Sequence, residues 1–151
     1  MLFRWSLAAV HLLAFGLALA SILGRSWALR RTSSPANVSA IFQADAGWGL
    51  SALVLIITGG MRAFGGYEKG GGYYLHEPLF HLKMAALILI LLLEIAPMMA
   101  LIRWRAAVRQ GRVPDLSRAA HFARIGTVQT ILLIVMVFAA SGMARGVGLP
   151  D

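Results

Sequence analysis

HEPLFHLKMAALILILLLEIAPMMAL, residues 76–101, sets the architecture. Behind a head of two histidines, a glutamate and a lysine runs a length of chain in which Glu94 is the only further charge. A hydrocarbon core about 30 Å thick asks about 20 apolar residues of a helix, and this stretch supplies them. In lipid a backbone amide has no water to bond, so the segment must satisfy its own donors and acceptors as a helix. Working outward, the same reading finds spans over approximately Leu2 to Leu23, Gly47 to Phe64, Leu79 to Leu101 and Ile125 to Ala144. The expected fold is all-α: a polytopic membrane four-helix bundle forming a single domain over residues 1–151.

Composition agrees. Fifty-nine per cent of the chain is hydrophobic and 13% charged, beyond the roughly 45 to 50% apolar content of an ordinary soluble domain. With no cysteine there is no disulfide, thiolate metal site, c-type haem attachment or cysteine nucleophile. The net charge of +8 resides in the connections, where lysine and arginine set membrane orientation, so the expected partner is membrane lipid and no nucleic acid. The first and third connections hold nine cations, Arg25, Arg30, Arg31, Arg103, Arg105, Arg109, Arg112, Arg118 and Arg124. The opposite side holds five: Arg4, Arg62, Lys69, Lys83 and Arg145. The positive-inside rule then puts the arginine-rich loops in the cytoplasm, with both termini and the Gly65 to Pro78 loop outside. The same charge order favours an uncleaved first helix, although ALAS at Ala18 to Ser21 has the look of a signal-peptide cleavage site.

Punctuation refines the connections. SSPANVSAIFQAD, from Ser33 to Asp45, opens the second helix before the membrane begins, and RVPDLSRAAHFAR, from Arg112 to Arg124, opens the fourth in the same way. His121 then faces solvent. The glycine-rich loop with Tyr67, Tyr73 and Tyr74 reads as a flexible interfacial segment, and its GGYEKGGG lacks the strand and the Gly-Lys-Ser/Thr ending of a phosphate loop. Pro78 suits the first turn of the third helix, with Glu77 or His76 as its cap.

Ionisable groups inside a membrane cost about 2.5 to 3.5 kcal/mol each at a helix centre and are functional candidates by default. His81 and Lys83 diverge by about 160° on a helix, whereas Lys83 and Glu94, eleven residues apart, return to within about 20° of one face. That shared stripe is the expected interior face, with His81 turned to a lateral neighbour or the interface. On the first helix His11 leads a stripe of small residues, Ala14, Ala18 and Ser21, suited to close helix contact. Two constellations follow. An outer one joins His11, His81 and Lys83 with Arg62 and Arg145; an inner one joins Asp45, Glu94 and Gln129 near the cytoplasmic arginines. The outer group has the residue types that hold a b-type haem or porphyrin: His11 for the iron, and cations for the propionates. Lys83 and Glu94 are the candidate reactive groups, Glu94 as an internal proton or ion-pair site. Met98, Met99, Met136 and Met143, and the small residues Gly16, Ala20 and Gly24, read as packing. A non-catalytic accessory or assembly role, with the small-residue faces docked on other membrane-protein subunits, is the alternative to a haem- or porphyrin-associated redox function.

AFGGYEKG, YYLHEPLFHLKM, LIRWR and MVFAASGMARG, in this order, resemble the bacterial membrane-protein family called domain of unknown function 2214, over nearly the whole chain. The resemblance implies a four-helix protein of the inner (plasma) membrane. A weaker similarity, to the small membrane-embedded protoporphyrinogen oxidase and to copper-resistance D-type proteins, would make His11 the haem-ligating histidine and His81 and Lys83 the His-x-Lys pair. The chain departs from that oxidase at FRWSLAAVH, which lacks a lysine before His11, and in having no histidine pair ending the third helix. What that similarity implies is a shared scaffold.

Overall fold

A computed structural model describes residues 2–32, 34, 38–66, 72 and 76–147. Four helices carry the fold: α1 (Leu2–Arg31), α2 (Val38–Phe64), α3 (Pro78–Arg109) and α4 (Ala119–Ala144). All four are long and apolar enough to cross a membrane. Each runs past the apolar stretch that identifies it, and the longest, at 32 residues, measures about 48 Å. The extra turns lie mostly on the arginine-rich side, where α1 and α3 leave the apolar region and α2 and α4 approach it. Ser33, Pro35, Tyr67, Lys69, Tyr73 and Tyr74, on which the first start signal and the aromatic loop depend, lie outside the described residues.

Glycine stops two of the helices by one device. Gly111 follows the α3 cap Gln110 at φ 68° and Gly146 follows the α4 cap Arg145 at φ 73°. Arg112 N–H donates to Ala107 C=O (2.8 Å) and Val147 N–H to Gly142 C=O (3.1 Å). Gly111 and Gly146 donate one turn inside, closing a Schellman motif at each end. Only a residue without Cβ takes that left-handed conformation freely.

The helices form an up-down-up-down ring. Along the α1/α2 seam the two helices run antiparallel. His11 faces Thr58 and Gly59, Ser21 faces Gly47, Gly24 faces Ala44, and Arg25 faces Asp45. A Cβ on Gly47 would stand 2.5 Å from Ser21 Oγ, so the glycine lets the two backbones approach. Gly126 does the same for α4, where a Cβ would collide with the Ser26 hydroxyl. α1 is thus held on both sides, by α2 and by α4. The small-residue stripe expected on it is buried at Ala14, Ala18 and Ser21. Across α2 and α3 the joints are long side chains: Phe64 packs edge-on against Phe80 at one end, and Arg105 reaches Phe42 C=O (3.1 Å) at the other.

Three apolar layers stack between the helices. The layer nearest the arginine-rich end includes Leu29, Ile41, Leu101, Trp104, Phe122 and Ala123; the middle one has Ala18, Ile22, Trp48, Ile90 and Leu133; the third centres on Phe80 and Met143. Large apolar side chains such as Leu13, Leu53, Leu92 and Phe138 point outward on all four helices. A soluble bundle would bury them, whereas here they meet lipid.

Candidate functional site

Between the first and second layers lies a polar one, built from all four helices. Arg25 leaves α1 a turn below Ile22 and is only 1% exposed. Its fork grips Glu94 of α3 with both amino groups, Nη1 to Oε1 at 2.5 Å and Nη2 to Oε2 at 2.7 Å. Nη1 also donates to Asp45 Oδ1 of α2 (2.9 Å), and Nη2 to Gln129 Oε1 of α4 (3.2 Å). Gln129 closes the circuit by donating from Nε2 to Glu94 Oε2 (2.8 Å) and to the Ile90 carbonyl (3.2 Å). The second oxygen of Asp45 accepts from Arg105 Nη2 at 2.8 Å. The guanidinium of Arg25 also lies 5.7 Å from the centre of the Trp48 ring, within cation–π range.

Two cations and two anions balance. A charge carried alone into a low-dielectric layer would move its proton equilibrium or distort the fold, but bidentate charge-assisted bonds satisfy Arg25 in place. The layer is graded in exposure: Arg105 is 38% exposed, Asp45 17%, Glu94 16% and Arg25 1%. Polar groups therefore continue without a break from the arginine-rich end to the middle of the bundle. Pro97, three residues beyond Glu94, is buried in α3 and cannot donate to the Leu93 carbonyl.

The inner constellation of Asp45, Glu94 and Gln129 is thus assembled, and its centre is a residue the sequence reading assigned to a loop. Arg25 is not a surface cation of the first connection, because α1 continues through it to Arg31. A signal for it was present: His11, Ala14, Ala18, Ser21 and Arg25 recur at alternating intervals of three and four, one helical face.

The outer group is only partly gathered. His11 Nδ1 meets Thr58 Oγ1 at 2.7 Å. Thr58 gives its one hydroxyl proton to the Val54 carbonyl at 2.7 Å, so His11 Nδ1 is the donor. The ring rests on α2 at Gly59, where a Cβ would come within 3.3 Å of Cε1. Lys83 is half-buried and His81 exposed, its ring edge-on to Phe80 of its own helix. Arg62 is half-buried at the end of α2, and Arg145 is exposed at the α4 cap. Among the described residues no three histidine or carboxylate groups converge as a metal site.

One expectation is corrected at the head of α3. Pro78 does occupy the first turn and Glu77 the cap position, but the Glu77 side chain makes no capping bond. It is fully buried, and neither carboxylate oxygen has a hydrogen-bond partner among the described residues. His76 is exposed and donates from Nδ1 to the Gly72 carbonyl at 2.9 Å. Burial overrides the solvent-exposed capping that the sequence pattern suggests.

The polar layer makes a direct prediction. Arg25→Met strands Glu94 in a low-dielectric interior and leaves Asp45 with Arg105 alone, at a cost of about 3 to 5 kcal/mol, and should lower the thermal midpoint sharply in detergent. Adding Glu94→Gln removes the stranded charge and should restore most of the loss. An unchanged midpoint in Arg25→Met would show that the bundle does not depend on this layer.

No curated protein and no solved structure compared with the chain matches it. The family described as "Predicted membrane protein (DUF2214)" matches residues 3–148, almost the full length. By that match and its four apolar helices, the chain belongs to the DUF2214 family of predicted membrane proteins.

Proposed function

We propose that this multi-pass membrane protein is proton-responsive, and that Glu94 is its proton-exchange site. The observation that carries the reading is one buried guanidinium divided between carboxylates on two different helices. Adding a proton to Glu94 removes the anion that ties α3 to α1, while Asp45 still holds Arg25 to α2. The α2 link persists and the α3 link weakens, so a proton becomes a change in helix arrangement. The chain has no native cysteine, so labels on Trp27→Cys and Ile102→Cys, both exposed in the native protein, report the α1 to α3 distance in nanodiscs. That distance should grow on acidification, and Glu94→Gln should hold it near its acid value at every pH. Distances that ignore both pH and Glu94→Gln would overturn the reading.

The protein belongs, on this reading, in a bacterial plasma membrane with both termini outside and the arginine-rich connections in the cytoplasm, as the distribution of cations favours. Val113→Cys, exposed on the connection between α3 and α4, should then resist an impermeant thiol reagent in intact spheroplasts and react after lysis. Labelling before lysis would invert the orientation.

A second reading, haem or porphyrin binding, is favoured by the orientation of His11. A ligating imidazole commonly donates its other ring N–H to a fixed partner, and Nδ1 does so to Thr58. On this reading His11 would hold the iron as a single axial ligand, and Arg62 and Arg145 would pair with propionates. Bound haem would supply one-electron chemistry. Protein expressed with haem should show a Soret band that His11→Ala abolishes, and Thr58→Val should weaken haem retention by about 10- to 100-fold. Colourless native protein would end this reading.

A further inference from the structure

The arginines outside the polar layer are not spread evenly. Where α3 turns into α4, a cleft of about 660 Å³ opens beside the chain. Arg103, Arg112 and Arg118 stand around it, all three exposed. None of them is in an ion pair among the described residues. Arg112 donates from Nε to Gln110 Oε1 (3.0 Å), and Arg118 lies 5.8 Å from the centre of the Phe122 ring. The one carboxylate in the lining, Asp115, accepts the Ser117 amide at 3.0 Å. That bond holds Asp115 below the usual carboxylate range, so it stays charged without neutralising an arginine.

Below the arginines the cleft is apolar. Ala96, Met99 and Ala100 precede Arg103 at seven, four and three residues, and therefore lie on its helix face. The stripe extends about 10 Å from Arg103 toward the interior of the membrane. Alanine leaves room along it, while Trp104 and Phe122 close the back, packed edge-on at 6.1 Å. The site therefore combines three cations at the end of the spans with a narrow apolar channel running into the lipid.

We infer that this cleft binds an anionic phospholipid, its phosphate held by Arg103, Arg112 and Arg118 and one acyl chain laid along Ala96 and Met99. Charge complementarity selects the headgroup, since three cations face one carboxylate in the lining. The apolar stripe selects a lipid over a free anion. Basic pockets beside transmembrane helices recognise such headgroups by the same combination. Occupancy would join the α3–α4 turn to the membrane surface and brace two of the three helices that hold Arg25.

The test uses purified full-length protein in nanodiscs, with binding of a fluorescent phosphatidylglycerol measured against phosphatidylcholine. Native protein should prefer the anionic lipid. Arg103→Gln, Arg112→Gln and Arg118→Gln should each weaken binding about fivefold, and the triple variant on the order of a hundredfold. Arg31→Gln, Arg109→Gln and Arg124→Gln together remove the same charge from exposed positions that do not line the cleft, and should change binding only a few-fold. Ala96→Trp keeps every charge and should weaken lipid binding by obstructing the acyl channel. Equal losses in the two triple variants, or full binding in Ala96→Trp, would reduce the site to diffuse surface attraction. Competition by millimolar inorganic phosphate as effective as by anionic vesicles would make it an anion site and overturn the lipid assignment.

Discussion

A guanidinium cannot be left bare in the interior of a membrane bundle, and most of this structure is arranged around that constraint. Arg25 is the most deeply buried charge in the polar layer, and satisfying it takes one side chain from each of the other helices. Apolar contacts alone specify such bundles weakly, because lipid tails are as apolar as leucine and a rotated helix loses little. Directional bonds remove that freedom. Turning α1 by one residue would swing Arg25 about 100° out of its carboxylates.

The small residues serve the same end. Gly47 and Gly126 bring α2 and α4 close to α1 at Ser21 and Ser26, on either side of the turn that carries Arg25. Close approach sets the reach over which Asp45 and Gln129 must act. Glu94 comes from the helix diagonally opposite and spans the larger gap, which suits it to the bidentate fork. Trp48 covers the charge on the side of the middle apolar layer.

Much of this was legible from residues alone, and the exceptions share a cause. Length and hydropathy were enough for four helices, because a lipid environment leaves the backbone no other solution. Depth along the chain groups Asp45, Glu94 and Gln129, since each lies a similar distance from the arginine-rich end. Hydropathy falls off at Arg25 and sets it with its loop neighbours, yet helicity continues to Arg31; the interval pattern from His11 onward is the better guide. Thr58 went unread, as its pairing with His11 depends on the register of two helices and on nothing local. Glu77 shows the converse: a local preference for capping was correct about position, and the packing around it decided the side chain's environment.

The chain distances inside the polar layer also describe an order of events. Asp45 follows Arg25 by 20 residues, Glu94 by 69 and Gln129 by 104. A chain inserted from its N-terminus therefore brings a cation to the membrane first, with its anions still unmade. Arg25 lies toward the end of α1, where it can wait at the interface until α2 delivers Asp45. The first hairpin is then neutral at this position and can settle. Glu94 and Arg105 arrive together on α3 and add no net charge, the one pairing with Arg25 and the other with Asp45. Chain order thus lets each successive hairpin leave the polar layer without net charge.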